Sequence, residues 1–164
     1  SSVKMLVRNK DGYKDAADIK GKPLAVLGRT TAEPAVLAFS KQKKLDLTIS
    51  RSVSAEAALS KLRLGHVAAW ARDEVLLRGI HQLQPDAGEF SILPTPMSSE
   101  VIAIAFPGDA GLQRVVDQTL ASLARDGRME TLYQKWFVQP NPATHKGLNL
   151  QLSTELKEVF ERQR

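Results

Sequence analysis

Arg29-Thr30-Thr31-Ala32-Glu33-Pro34 is the first stretch of this chain whose residue types and spacing could hold a ligand. It lies between Pro23 to Leu27, a compact apolar run predicted as a strand, and Ala32 to Lys41, which has helical composition. In an open α/β sheet a loop in that position borders the ligand crevice. Either threonine could cap the helix. With Thr30 as cap, Pro34 would fall where the helix needs an N–H, and its ring would crowd the Thr30 carbonyl. With Thr31 as cap, Pro34 lacks nothing. The N–H groups of the first turn then stand free beside the Thr31 hydroxyl, a geometry that suits a carboxylate. A plain N-cap is the commoner use of a threonine in this place, and from these residues both readings stand.

Asp73 supplies the opposite charge. It follows the apolar run Val67 to Ala71, a predicted strand, which puts its carboxylate at the strand's C-terminal end, along the same edge as the Thr31 loop. A carboxylate and a bare helix start on neighbouring strands match the ammonium and carboxylate of an α-amino acid. Taken alone, Asp73 reads first as the N-cap of the next helix. Glu33, Glu56 and Glu100 are carboxylates available to acid–base chemistry, but none has a second titratable group at a spacing that marks a catalytic pair, and no catalytic residue is assigned. His66, His81 and His145 lack metal-ligand spacing, and neither a metal nor a cofactor is expected. Trp70 and Trp136 read as packing residues.

These side chains need a scaffold. Val3 to Arg8 alternates as a strand and ends at the turn signal Asn9-Lys10-Asp11-Gly12; a short helical turn spans Asp15 to Ile19. Leu45, Leu47 and Ile49 alternate as a further strand, Ser54 precedes a helix over Ala55 to Leu64, and Gly65 stops it. A short helix from Asp73 to Gly79, a strand at Phe90 to Leu93 and a strand at Val101 to Phe106 follow. The alternation of β and α predicts a parallel-rich sheet. Beyond Pro107-Gly108, Leu112, Val115, Val116, Leu120 and Leu123 mark an amphipathic helix; Gly127 interrupts, and helices at Met129 to Phe137 and Glu155 to Arg162 complete the pattern.

Composition narrows the function. The 164 residues are 43% hydrophobic and 25% charged, the make-up of a globular protein. No cysteine is present, which excludes disulfides, thiolate metal sites and cysteine nucleophiles. The net charge of +5 arises from scattered basic residues with only 5% aromatics, so nucleic acid is not an expected partner. No stretch approaches the ~18 apolar residues of a membrane span.

Several of these segments together resemble the bacterial solute-binding proteins for polar and acidic amino acids. Asp18-Ile19-Lys20-Gly21-Lys22-Pro23-Leu24-Ala25-Val26 with the Thr30-Thr31 pair is similar to the family's entry into its second lobe, and Glu56-Ala57-Ala58-Leu59 through Gly65-His66-Val67-Ala68-Ala69 to the stretch before its ligand-binding aspartate, here Asp73. Ser99 to Ala105 resembles the second hinge strand, and Gly127 to Phe137 the "KWF" close. Gly147 to Ser153 resembles the tail of the glutamate/aspartate-binding branch. The resemblance implies an α/β, type II periplasmic-binding-protein-like fold: one complete, doubly wound second lobe at 9–99, a hinge strand at 1–8, and at 100–164 the return hinge strand and C-terminal helices of an incomplete first lobe. It further implies an N-terminally truncated, periplasmic amino-acid-binding subunit of an ABC importer, with an inner-membrane permease as partner. Thr31 would bind the ligand α-carboxylate with Thr30 in support, and Asp73 the ammonium. Arg29, where the family has glycine, and Arg72 would reach an acidic side chain. The family's arginine for the α-carboxylate lies before the hinge strand, so weak or absent binding by this chain alone is expected. A dehydratase-like enzyme on the same fold, and an interaction or sensory module completed by a homodimer or domain swap, are the alternatives.

Overall fold

The computed structural model describes residues 1–162. They fall into two compact units, residues 1–102 and 103–162. In the first, β1 (Val3–Arg8), β2 (Pro23–Leu27), β3 (Thr48–Ser52), β4 (Ala69–Asp73) and β5 (Phe90–Ile92) form one sheet in the order β3-β2-β4-β1-β5. Helix α1 (Ala32–Lys43) follows β2, α2 (Ala55–Arg63) follows β3, and α3 (Glu74–Leu83) follows β4. The two-residue period of the strands sorts their side chains into two cores. Val3, Met5, Val7, Leu24, Val26, Ala69 and Ala71 meet Val36 and Phe39 of α1, whereas Leu6, Ala25 and Trp70 meet Leu59 and Leu62 of α2 and Leu77 of α3. Helices thus cover both faces, and the lobe is doubly wound.

The sheet is parallel-rich in strand direction but mixed: β2, β3, β4 and β5 run one way and β1 the other. Helical crossovers make β3 and β4 parallel to β2, but β1 runs antiparallel to both its neighbours, β4 and β5. The physical reason is the connection from β1 to β2, which passes through two short 3₁₀ turns, Asn9–Asp11 and Ala16–Ile19, with no crossover helix to fix direction. The strand expected at Val101 to Phe106 is absent. A strand needs a neighbour for its N–H and C=O groups, and β1 is already bonded on both sides; Val101 is 96% exposed and Ile102 82%. The strand expected at Leu45 to Ile49 begins later, at Thr48, because Lys44 and Asp46 take left-handed backbone (φ 54° and 52°). Leu45 is buried in the core as loop, its N–H on the Ser40 carbonyl at 2.9 Å. β4 starts two residues later than expected, and α3 runs on through Gly79 to Leu83, keeping Leu77 and Ile80 on the core.

The second unit holds α4 (Ala110–Arg125), α5 (Arg128–Tyr133) and α6 (Thr154–Arg162). Asp109 caps α4 through the N–H groups of Gly111 and Leu112, at 2.8 and 3.0 Å. Gly127 takes φ 75°, the left-handed turn that separates α4 from α5 and that a side chain would strain. The helix expected to reach Phe137 loosens after Tyr133 into a π turn, Gln134–Val138, and Trp136 is 59% exposed rather than packed. Ser153 caps α6, accepting from the Leu156 N–H at 3.2 Å.

One polar feature is built into the first lobe. Glu74, at the head of α3, is buried, with its carboxylate on Lys4 Nζ of β1 (3.0 Å) and on Arg78 Nη2 (2.8 Å) and Nε (2.9 Å). Burial alone would raise its carboxyl, but the bonds from Lys4 and Arg78 outweigh it and hold the group below the usual carboxylate range. A depressed folded-state value stabilises the fold above the unfolded-state value and loses that contribution as pH falls through the folded one. Urea unfolding of Glu74→Gln at neutral pH is therefore expected to show a loss of ~1–2 kcal/mol, the partners being partly solvated. Between about pH 5 and pH 3 the variant's stability should fall less steeply than that of the parent.

Candidate functional site

Thr31 and Asp73 stand at the same edge of the sheet. β2 and β4 are neighbours in parallel register, Leu24 opposite Ala69 and Ala25 opposite Trp70, and continuing that register sets Asp73 level with Gly28, just after β2. Asp73 also shares a face with Ala69 and Ala71, which pack in the same core as Ala32 and Val36 of α1. The carboxylate at the end of β4 and the head of α1 therefore adjoin. Two further residues link them: the Thr31 hydroxyl donates to Glu100 Oε2 at 3.4 Å, the Glu100 N–H donates to the Ser1 carbonyl at 2.8 Å, and the Ser1 hydroxyl donates to Asp73 Oδ2.

The local roles differ in part from those the sequence predicts. Helix α1 begins after Thr31, but Thr31 has helical backbone (φ −63°, ψ −20°) and its side chain makes no capping bond. The Glu33 N–H is turned to the Thr30 carbonyl and that of Ala35 to the Thr31 carbonyl, both at 3.3 Å, and Pro34 has no N–H to offer. So part of the donor array expected free at the helix head is occupied by the turn. Thr30 donates its hydroxyl to the Leu27 carbonyl at 2.8 Å, closing the loop from within. Asp73 does cap α3, accepting from the Val75 N–H through Oδ1 at 3.1 Å.

The two arginines are not brought together. Arg29 is exposed in the loop at φ 63°, a left-handed conformation that costs a non-glycine residue about 1–2 kcal/mol and that glycine would adopt freely. Arg72 lies on the opposite face from Asp73, toward the head of α2. There Glu56 is held below the usual carboxylate range by its own backbone N–H and by the Ser54 hydroxyl, with the charge of Arg72 adding to the effect. Of the three carboxylates weighed for acid–base work, Glu33 is paired with Arg51, whose Nε lies at 2.9 Å, Glu56 is held as described, and Glu100 accepts from Ser98 and Thr31. Each is engaged in holding structure. Among the described residues no group of three or more His, Cys, Asp or Glu side chains is placed to hold a metal ion. Glu100 as the partner of Thr31 was missed by sequence reasoning; no local signal pairs residues so far apart.

No family model matches the chain. It is 29% identical over 159 residues to the L-glutamate/L-aspartate-binding protein of Pseudomonas aeruginosa, covering 96% of this chain and 53% of that one. It is 25% identical, with the same coverage, to the glutamate/aspartate import solute-binding protein of Escherichia coli. The chain thus spans about half the length of the curated relatives it matches. Among solved structures, an ancestral arginine-binding protein bound to arginine superposes with a TM-score of 0.65 at 25% identity, over 83% of this chain and 60% of that one. The matched relatives are named as binding proteins, and no helix among the described residues is long and apolar enough to cross a membrane. By sequence and by fold, the chain is similar to these solute-binding proteins over about half of their length.

Proposed function

We propose that this lobe forms one face of a clamp that holds a free L-α-amino acid, glutamate or aspartate by preference, for delivery to an ABC permease in the inner membrane. The observation that carries the reading is the shared edge and face of Asp73 and the head of α1, a carboxylate beside a helix N-terminus, which suits a zwitterion. Thr31 takes the α-carboxylate, Thr30 shapes the loop, Asp73 takes the ammonium, and Arg29 is the cation in reach of an acidic side chain. The relatives' names favour glutamate and aspartate over arginine. An importer's binding subunit works on the periplasmic side, which is the location assigned.

The clamp needs a second face. The exposed apolar segment Val101, Ile102 and Ile104 supports completion of the fold by a further lobe, in the same polypeptide or in a second copy by dimerisation or swapping. Without it, a bidentate arginine contact worth roughly 1.5–3 kcal/mol and the exclusion of water are missing. Calorimetric titration with L-glutamate, L-aspartate and L-glutamine is expected to give binding in the millimolar range, or none by heat, for the 164 residues alone. A fusion that restores the half of the relatives not spanned here is expected to bind in the micromolar range or tighter. A restored protein that takes none of the three sinks the reading.

A further inference from the structure

A hydroxyl has one hydrogen to give, and in this loop each threonine already has an acceptor, close for Thr30 at 2.8 Å and longer for Thr31 at 3.4 Å. Thr30 gives its own to the Leu27 carbonyl, and Thr31 gives its own to Glu100 Oε2. Glu100 is well anchored for that contact. The segment after β5 runs beside β1, with the Leu93 N–H on the Met5 carbonyl, Met97 on Val3 and Glu100 on Ser1, each at 2.8 Å. The Glu100 Oε1 accepts from the Ser98 hydroxyl at 3.2 Å, which leaves Oε2 to face Thr31. Beyond Glu100 the chain leaves the sheet and Val101 is exposed.

From this geometry we infer that Glu100 is an internal competitor for the ligand's carboxylate at Thr31, a specificity-setting residue that a bound amino acid must displace. The inference rests on the ligand reading given above. Two effects act together. The ligand carboxylate and Glu100 want the same proton, and they repel each other as like charges. The repulsion is greater for glutamate, with two carboxylates, than for glutamine, with one. Glu100 therefore lowers affinity for acidic amino acids and narrows their advantage over neutral ones. Two variants separate the effects. Glu100→Gln removes the charge but keeps an acceptor for the Thr31 hydroxyl, whereas Glu100→Ala removes both.

Titrations with L-glutamate and with L-glutamine of the fusion that restores the half of the relatives not spanned here, followed by calorimetry and by the amide resonances of Thr31, Ala32 and Asp73, test this. Glu100→Gln should tighten glutamate about threefold, and Glu100→Ala about three- to tenfold, with a smaller gain for glutamine. In a Thr31→Val background the part of the gain due to the shared proton should vanish, so that Glu100→Ala does no better than Glu100→Gln. Unchanged or weakened binding in Glu100→Ala overturns the inference while leaving the ligand reading intact, as does a gain of undiminished size without the Thr31 hydroxyl. If neither the parent fusion nor any variant of it responds to either amino acid, the ligand reading fails and the inference fails with it.

Discussion

Trp70→Ala is expected to lower the unfolding free energy by ~3–5 kcal/mol, and Trp70→Phe by much less, about 0–2 kcal/mol. Trp70 is fully buried on β4, in the core formed with Ala58, Leu62 and Leu77. Alanine leaves a cavity there that rigid neighbours on the sheet and on two helices cannot fill. Phenylalanine removes far less volume and refills most of the site. Among the described residues the indole N–H of Trp70 has no hydrogen-bond partner, and an unpaired buried donor costs ~1–3 kcal/mol. Both variants remove that donor and recover its cost, so the difference between them is the size of the cavity. Far-UV circular dichroism melts are the measurement: a shift on the order of 15 °C or more for alanine, and a few degrees for phenylalanine, given ~4–8 °C per kcal/mol in a unit of this size. Equal shifts for the two would mean that the neighbours close around the smaller side chain and leave no cavity.

Local signals and pairing signals divide what could be read from the residues alone. Strand β2 and the start of α2 are written locally: Pro23 opens an apolar run, and Ser54 accepts from the Ala57 N–H at 3.2 Å, as a residue before a helix should. Asp73 as a cap of α3 is legible for the same reason. The register of β4 is less so, because Val67 and Ala68 are as apolar as the strand yet are buried ahead of it, Ala68 giving its N–H to the Pro23 carbonyl at 2.8 Å. Hydrophobicity reports burial, and burial does not require a ladder. Val101 to Phe106 makes the converse case. Its composition is that of a strand, but a strand is a relation between two segments, and both edges of β1 are taken. The Thr31 to Glu100 contact is of the same kind, set by how the segment after β5 lies along β1, which no window of neighbouring residues encodes.

Asp73→Asn is expected to weaken L-glutamate binding by ~10- to 100-fold in a protein with both faces of the clamp present, while leaving its stability nearly unchanged. Asp73 has two tasks that use different atoms. Oδ1 accepts the Val75 N–H and caps α3, a bond worth ~1 kcal/mol to the fold, and asparagine caps a helix about as well as aspartate. What asparagine lacks is the negative charge that, on the proposed reading, faces the ligand ammonium, a charge-assisted contact worth ~1.5–3 kcal/mol. Asp73→Ala gives up both and should lose binding together with about 1 kcal/mol of stability, measured by urea unfolding. The comparison of Asn with Ala thus separates the cap from the charge. If Asp73→Asn bound glutamate as tightly as its parent, the ammonium would be held by some other group, and the residue at the end of β4 would be a helix cap and nothing more.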